Sequence, residues 1–400
     1  MGCIRANAMP REWPLAGISL PLFLLLGTVL AGCAATPSGT VFPALSPEET
    51  EARLIHASDF DPAPDTDVLA LSGDVRHWID TQLIGEQRAS TTRLKLLSNV
   101  FAPDGALKLE YDPIATYSAS ETFARREGNC LSFTHLFIAM ARDIGLDAGY
   151  REIPGRPSWE AVGDYVVVNR HMVAYGRLAG FADYTVDFGR FATGEEASFG
   201  HDVSDASARA QHFNNLGARS LTRGDVAGGL GYLNRALLID PSLAYVWTNL
   251  GTAYMQLDRF QDAEAALLHA LRLDRFEVTA INQTERLYER LDRHELAQAY
   301  HHRAERARYQ NPYARFWRGV AALERGEVRD ALGHLRKAVR EEPDELQFRL
   351  QLAKAYALLG RSHSAQQEML AAVALAGSPD ERRVILEVLQ EIVQETSSVK

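Results

Sequence analysis

The chain has 400 residues, more than one hydrophobic core usually serves, so at least two folded units are expected. Its composition is that of an ordinary globular protein. The net charge of -10 at pH 7, with no clustered Lys/Arg stripe able to displace counterions from phosphates, excludes a nucleic-acid surface.

Residues 1–32 read as a signal peptide. Arg5 and Arg11 precede an apolar, uncharged run from Leu15 to Leu30, interrupted only by small residues and Pro21 and too short for a confident membrane span. The run ends in Leu30-Ala31-Gly32-Cys33, which resembles the lipobox of bacterial lipoproteins, in which the cysteine is thioether-lipidated and becomes the first mature residue. The resemblance implies lipidation at Cys33 and a membrane held through that lipid. Ala34, rather than Asp, after the cysteine implies sorting to the outer membrane, facing the periplasm. An ordinary secretory peptide cut nearby is the alternative. Residues 33–68 are then a lipidated N-terminus and tether, with Pro, Ser, Thr and Gly making Ala34 to Pro47 flexible. Of three cysteines, Cys3 leaves with the signal and Cys33 takes the lipid, so no disulfide forms within the mature chain. A solitary thiol in an oxidising compartment is a liability unless buried or used, which makes Cys130 a candidate nucleophile.

Residues 69–190 form a mixed segment, with helical patterns over Asp74 to Ile84 and Ser90 to Val100. Asn129, a suitable N-cap, precedes a helix in which Cys130, Phe133, Phe137 and Met140 share a face and which Gly145 stops. A sulfur at that end meets the positive end of the helix dipole and unpaired amides, which stabilise a thiolate and an oxyanion. A small buried hydrophobe is the plain alternative for Cys130. Strand patterns follow at Asp164 to Val168, His171 to Arg177 and Ala182 to Phe188. A three-residue turn at Leu178-Ala179-Gly180 would place His171 directly opposite Asp187, with Cβ atoms about 5 Å apart on one face. A half-buried structural His171 and a turn-capping Asp187 are the competing readings.

Gly128-Asn129-Cys130, with Phe137, Ala139, Ala141, Arg142 and Gly145, resembles the cysteine helix of the transglutaminase-like superfamily. His171, and Asp187 within Tyr184-Thr185-Val186-Asp187, look like that superfamily's other two catalytic members, in its chain order. The resemblance implies an α+β, papain-like cysteine domain over 69–190. Cys130 would attack a carboxamide or peptide carbonyl, His171 would shuttle the proton and Asp187 would hold the imidazole tautomer. The amide of Cys130 would contribute to an oxyanion hole, with Tyr111, Tyr117 and Ser132 as candidate side-chain partners. The sequence departs from the superfamily in lacking an aromatic soon after His171, where many members carry Trp; this puts the acyl pocket's shape in doubt.

A Gly-, Ser-, Asp- and Glu-rich interval over 191–209 reads as a linker. From 210 to 378 the sequence repeats every 34 residues, with alanines at 236, 270, 304, 338 and 372. Small residues recur at Gly229, Ala263, Ala297, Ala331 and Ala365, and again at Gly217, Gly251, Gly319 and Ala353, with Glu285 in the third slot. With Pro241 and Pro343 ending second helices and Tyr254, Tyr288 and Tyr356 recurring, this register resembles about five tetratricopeptide repeats, an all-α solenoid. The unit from Val278 to Asn311 is the weakest. Residues 379–400 hold an amphipathic capping helix and tail. Asn215 and Asn249 occupy equal repeat slots, as in a carboxylate-gripping groove, although the repeat consensus favours Asn there too. His135 falls off the cysteine helix's main face and reads as packed or solvated. His56, His201, His301 and His302 lack ligand-spaced partners, so neither a metal nor another cofactor is expected.

Three functions stay open. The leading expectation is a lipid-anchored cysteine peptidase, amidase or acyltransferase whose repeats bind a protein partner or substrate. The second is a non-catalytic envelope scaffold that works through its repeats. The third is a peptidoglycan-modifying amidase that needs no protein partner.

Overall fold

The computed structural model describes residues 40–56, 58–83, 89–102, 104–162, 165–178, 183–188 and 200–376, and scattered positions between 382 and 390; the side chains of 154–170 and 308–310 are left aside. The signal segment, Cys33 and the first part of the expected tether lie outside the described residues.

After helix α1 (Pro47–Glu51) and a π turn (Ala52–His56), helices α2 (Gly73–Gln82) and α3 (Ser90–Phe101) follow the two helical patterns closely. Strand β1 (Glu110–Tyr111), helix α4 (Ala119–Arg125) and strand β2 (Glu127–Gly128) lead into α5 (Cys130–Asp143). Strands β3 (Gly149–Val162), β4 (Tyr165–Arg177), β5 (Asp183–Val186) and β6 (His201–Val203) form one sheet in the order β5-β4-β3-β6. Every residue of α5 from Cys130 to Ala141 is buried, because one side meets β3 and β4 through Met140, Tyr150, Met172 and Ala174, and the other meets α2, α3 and α4. A helix enclosed all round has no solvent face for periodicity to mark, and the shared face expected from sequence is only part of its burial.

Two expectations about connections are corrected. The two strands expected at 164–168 and 171–177 are one strand, β4, and β3, which pairs with it across a bulge between Ile153 and Ser158, was not foreseen. Pro154 and Gly155 within β3 break the β pattern in sequence. The expected linker is folded from Gly200 onward: β6 pairs with β3, and α6 (Asp205–Thr222) starts immediately after it, capped by Ser204.

Ten helices then make five antiparallel pairs: α6 with α7 (Val226–Ile239), α8 (Ala244–Gln256) with α9 (Phe260–Leu273), α10 (Val278–Arg290) with α11 (His294–Gln310), α12 (Pro312–Glu324) with α13 (Val328–Glu341), and α14 (Leu346–Leu358) with α15 (Ser362–Ala374). A Cβ at Gly217, Gly251 or Gly319 would lie 2.8, 2.7 or 2.6 Å from the Cγ of Leu233, Leu267 or Leu335, so these glycines let the paired helices touch. In the third unit both slots change together: Glu285 replaces the glycine, His301 replaces the leucine, and their side chains meet at 3.0 Å. Replacing Gly251 by Ala is expected to cost about 1–3 kcal/mol by overpacking, read as a lower urea midpoint at unchanged slope. Beyond α15, the described positions of the expected capping helix are helical, and Ile385 packs on Leu350 and Ala372.

The tether expectation is corrected from Thr40 onward, because this segment is strapped to the repeats. The Val41 and Phe42 amides donate to the Glu264 carboxylate at 2.8 and 3.0 Å, and Arg53 pairs with Asp262 at 2.6 Å. Leu54 and Ile55 enter the repeat core, and the Ala63 amide donates to Gly231 at 2.9 Å. Composition suggested a flexible chain, but its apolar pair and the acids on α9 give it a fixed seat.

Candidate functional site

Asn129 adopts extended backbone and accepts from the Ser132 amide at 3.0 Å, capping α5 as expected, so Cys130 begins the helix. The approach is tightly built. A Cβ on Gly128 would sit 2.6 Å from Ser132 Cβ, which explains the glycine in Gly128-Asn129-Cys130. The Asn129 side-chain amide donates to Thr116 Oγ1 at 2.8 Å, and its backbone amide donates to Ala115 at 2.8 Å, tying the loop before α4 to the head of the helix. First-turn amides have no acceptor within their own helix. Cys130 therefore sits, 5% exposed, at the positive end of the dipole.

His171 and Asp187 come together with Cys130, though by a different register than the sequence count implied. The β4–β5 ladder pairs Ala174 with Val186 and Arg177 with Asp183, which sets Asp187 opposite Val173 and two residues from His171. The expected turn residues Ala179 and Gly180 lie outside the described residues. An even offset keeps both side chains on one face of the sheet, and a diagonal pair remains within reach of long side chains. The imidazole spans the gap, and His171 Nε2 meets Asp187 Oδ2 at 2.8 Å. The ring also hydrogen-bonds the Cys130 side chain, and with Nε2 taken by Asp187, Nδ1 is the nitrogen left for sulfur. Burial pulls the His171 pKa down, but the hydrogen bonds and charges of Asp187 and Cys130 outweigh it and raise the pKa to about 10. At neutral pH the ring is an imidazolium beside sulfur.

Sequence reasoning missed what fixes Asp187. Phe188, the next residue, packs its ring 5.3, 5.6 and 6.3 Å from those of Phe101, Phe137 and Phe133, clamping the strand end to the cysteine helix. Phe188→Ala is expected to destabilise by about 3 kcal/mol and to loosen the His171–Asp187 contact, measurable as a lower urea midpoint together with a reduced His171 pKa.

Of the three oxyanion candidates, Ser132 is corrected. The Ser132 hydroxyl is consumed by the fold, donating to Ala115 and accepting from the Tyr117 amide. Tyr117 lies under the Arg125 guanidinium at 4.7 Å, and Tyr111 is largely exposed with its ring against Phe133. His135 is packed: its Nδ1 shares a hydrogen bond with the Tyr150 hydroxyl at 2.6 Å, and its ring lies tilted against that of His212 of α6, centroids 5.4 Å apart. Burial lowers the His135 pKa well below its ordinary value and lowers that of His212 to about 4. His56 and His201 are exposed, whereas His301 and His302 face Glu285 and Glu305. Among the described residues no three His, Cys, Asp or Glu side chains gather as a metal would need.

The cysteine domain is docked on the first repeat rather than strung beside it. Arg142 of α5 makes a two-pronged pair with Asp205 at 2.6 and 2.9 Å, and Ala208 belongs to the cysteine domain's core. Between the two lies a cavity of about 150 Å³. One wall is Pro113, Ile114, Thr116 and the Asn129-Cys130-Leu131 corner; the other is the first helix of each of the first three repeats, α6, α8 and α10.

Residues 81–181 match the transglutaminase-like superfamily core, and residues 244–276 match a tetratricopeptide repeat. The chain thus carries a transglutaminase-like core domain, followed by tetratricopeptide repeats. Comparison with curated proteins returns no match. Among solved structures, MamA aligns at 20% identity over 42% of this chain and 91% of its own, with a TM-score of 0.23. The TPR protein YrrB aligns at 18% over 44% and 92%, also at 0.23, and Pseudomonas aeruginosa PilF at 18% over 49% and 90%, at 0.26.

Proposed function

We propose that the protein is an envelope enzyme, lipid-anchored through Cys33 to the outer membrane on its periplasmic side, which cleaves or transfers an acyl group from an amide through Cys130, His171 and Asp187. The observation that carries the catalytic part is the imidazole held between the Asp187 carboxylate and the sulfur at the head of α5. The anchor rests on the apolar run and Leu30-Ala31-Gly32-Cys33 alone.

Cys130 Sγ attacks the carbonyl carbon, and the developing oxyanion is met by the Cys130 backbone amide. The C–N bond breaks and the amine leaves with the proton carried by His171, giving a thioester. Water or a second amine then attacks the thioester, surrendering its proton to His171 and restoring the thiol. Asp187 keeps Nε2–H pointed at itself, so that Nδ1 is the nitrogen that handles the proton.

Incubating the full chain with a mixture of Gln- and Asn-containing peptides, then adding hydroxylamine, tests the reading. Hydroxamates of the peptides should form, and Cys130→Ala should abolish them. A chain that forms none, yet still binds peptides through its repeats, would instead be a scaffold.

A further inference from the structure

The first helices of successive repeats face the cysteine domain with a row of amides at one slot: Asn215, Asn249 and Gln283, each 34 residues after the last, all lining the cavity that Cys130 also lines. Asn249 donates to Asn214 Oδ1 at 2.8 Å and keeps its own oxygen, while Gln283 makes no hydrogen bond among the described residues. Gln211, one turn before Asn215, lines the same space at 5% exposure and likewise has no partner among the described residues. An amide that lines the cavity offers a donor and an acceptor to whatever enters it. Arg219, the next turn on, also lines the cavity. Its Nε is buried and unpaired, and no carboxylate among the described residues neutralises it. Glu277 stands at the far side, at the start of α10, where it accepts from the Thr279 amide at 3.3 Å.

We infer that the repeat groove and Cys130 are one composite site, in which an extended peptide lies across α6, α8 and α10, pairs a carboxylate with Arg219, and presents the adjoining amide to the sulfur. An extended chain offers one donor and one acceptor at each residue, as the row of side-chain amides requires. Arg219 wants an anion, and its planar guanidinium suits a carboxylate. A cavity of about 150 Å³ gives such a chain room beside the sulfur. Arg219 and Gln211 are thus positioning residues for the reaction at Cys130, and the repeats set its specificity. The inference rests on the catalytic reading of Cys130 for its chemistry, and on the cavity lining for its ligand.

The test uses the full chain and peptide chloroacetamides of equal length in three forms: Glu side chains with an amidated C-terminus, a free C-terminal carboxylate with Gln replacing Glu, and Gln with an amidated terminus. Iodoacetamide is the control. At least one carboxylate form should alkylate Cys130 about tenfold faster than the neutral form, and which one identifies the carboxylate's source. Arg219→Met should erase that advantage and leave the iodoacetamide rate unchanged. Thr252→Trp, which fills the groove from α8, should slow all three peptides and spare iodoacetamide. Equal rates for charged and neutral peptides, with Cys130 still reacting with iodoacetamide in a His171-dependent way, would overturn the composite site and leave the catalytic reading standing. Unreactive peptides that bind through Arg219 without slowing alkylation of Cys130 would overturn it as well, by separating the groove from the sulfur.

Discussion

Asp187→Asn is expected to remove most of the reactivity of Cys130 while leaving the fold intact. The carboxylate supplies the first of the interactions that hold His171 protonated against burial, the largest single influence on the ring. With an amide in its place, burial is opposed only by Cys130, and the His171 pKa should fall from about 10 toward its ordinary value near 6.5. The amide also fails to dictate which ring nitrogen carries the proton. A loss of roughly a hundredfold or more in peptide acylation at pH 7 is expected, in the range that positioned acid–base groups supply. Nitrogen-15 titration of the imidazole reads the pKa directly, and an unchanged titration in the variant would show that Asp187 is only a strand end. The same shift has a stability consequence. The folded pKa of His171 lies above the unfolded value, so its stabilisation is fully present below about pH 6.5 and is lost as pH rises through 10.

Acid should undo the docking of the two domains. His135 and His212 pack ring against tilted ring where α5 meets α6, both essentially enclosed, and burial depresses both pKa values. His135 Nε2 and His212 Nδ1 have no hydrogen-bond partner in the described structure, so a proton arriving there meets no acceptor. For a histidine whose folded pKa lies below its unfolded one, stability is full above pH 6.5 and is lost as pH falls. For His212 the window runs from about 6.5 down to about 4, and the loss across it is about 3 kcal/mol. Glu121, whose charge favours His212 protonation, softens this, and the partly exposed Arg142–Asp205 pair adds little to hold the interface. Urea midpoints at pH 7.5 and 4.5 check this: the wild-type chain should lose stability on acidification, and His212→Phe should lose markedly less. Equal losses in both would place the acid sensitivity elsewhere.

The repeats were almost fully legible in sequence because a solenoid writes each contact locally, and a slot that must be small stays small every 34 residues. Even the weak third unit makes sense once Glu285 and His301 are seen to replace a glycine and a leucine together. The head of the cysteine helix was legible for the same local reason, since Gly128, Asn129 and Cys130 each do their work within one turn. What was hidden depended on distant pairing. Strand β3 carries Pro154 and Gly155 and is stabilised by β4 and β6 rather than by its own pattern. The register of His171 and Asp187 was off by two residues, and the even offset alone kept them on one face. Gln211 and Arg219 gave no sequence signal as site residues, because only the docking of α6 against the cysteine domain turns them toward Cys130.

The claim on which the rest depends is that sulfur, imidazole and carboxylate act as one unit. Alkylation of Cys130 by iodoacetamide at pH 7, followed site-specifically by mass spectrometry in the full chain and in His171→Ala, measures it most directly. The wild-type rate should exceed that of the variant by roughly a hundredfold. Equal rates in two chains with the same unfolding midpoint would mean that Cys130 is an ordinary buried thiol.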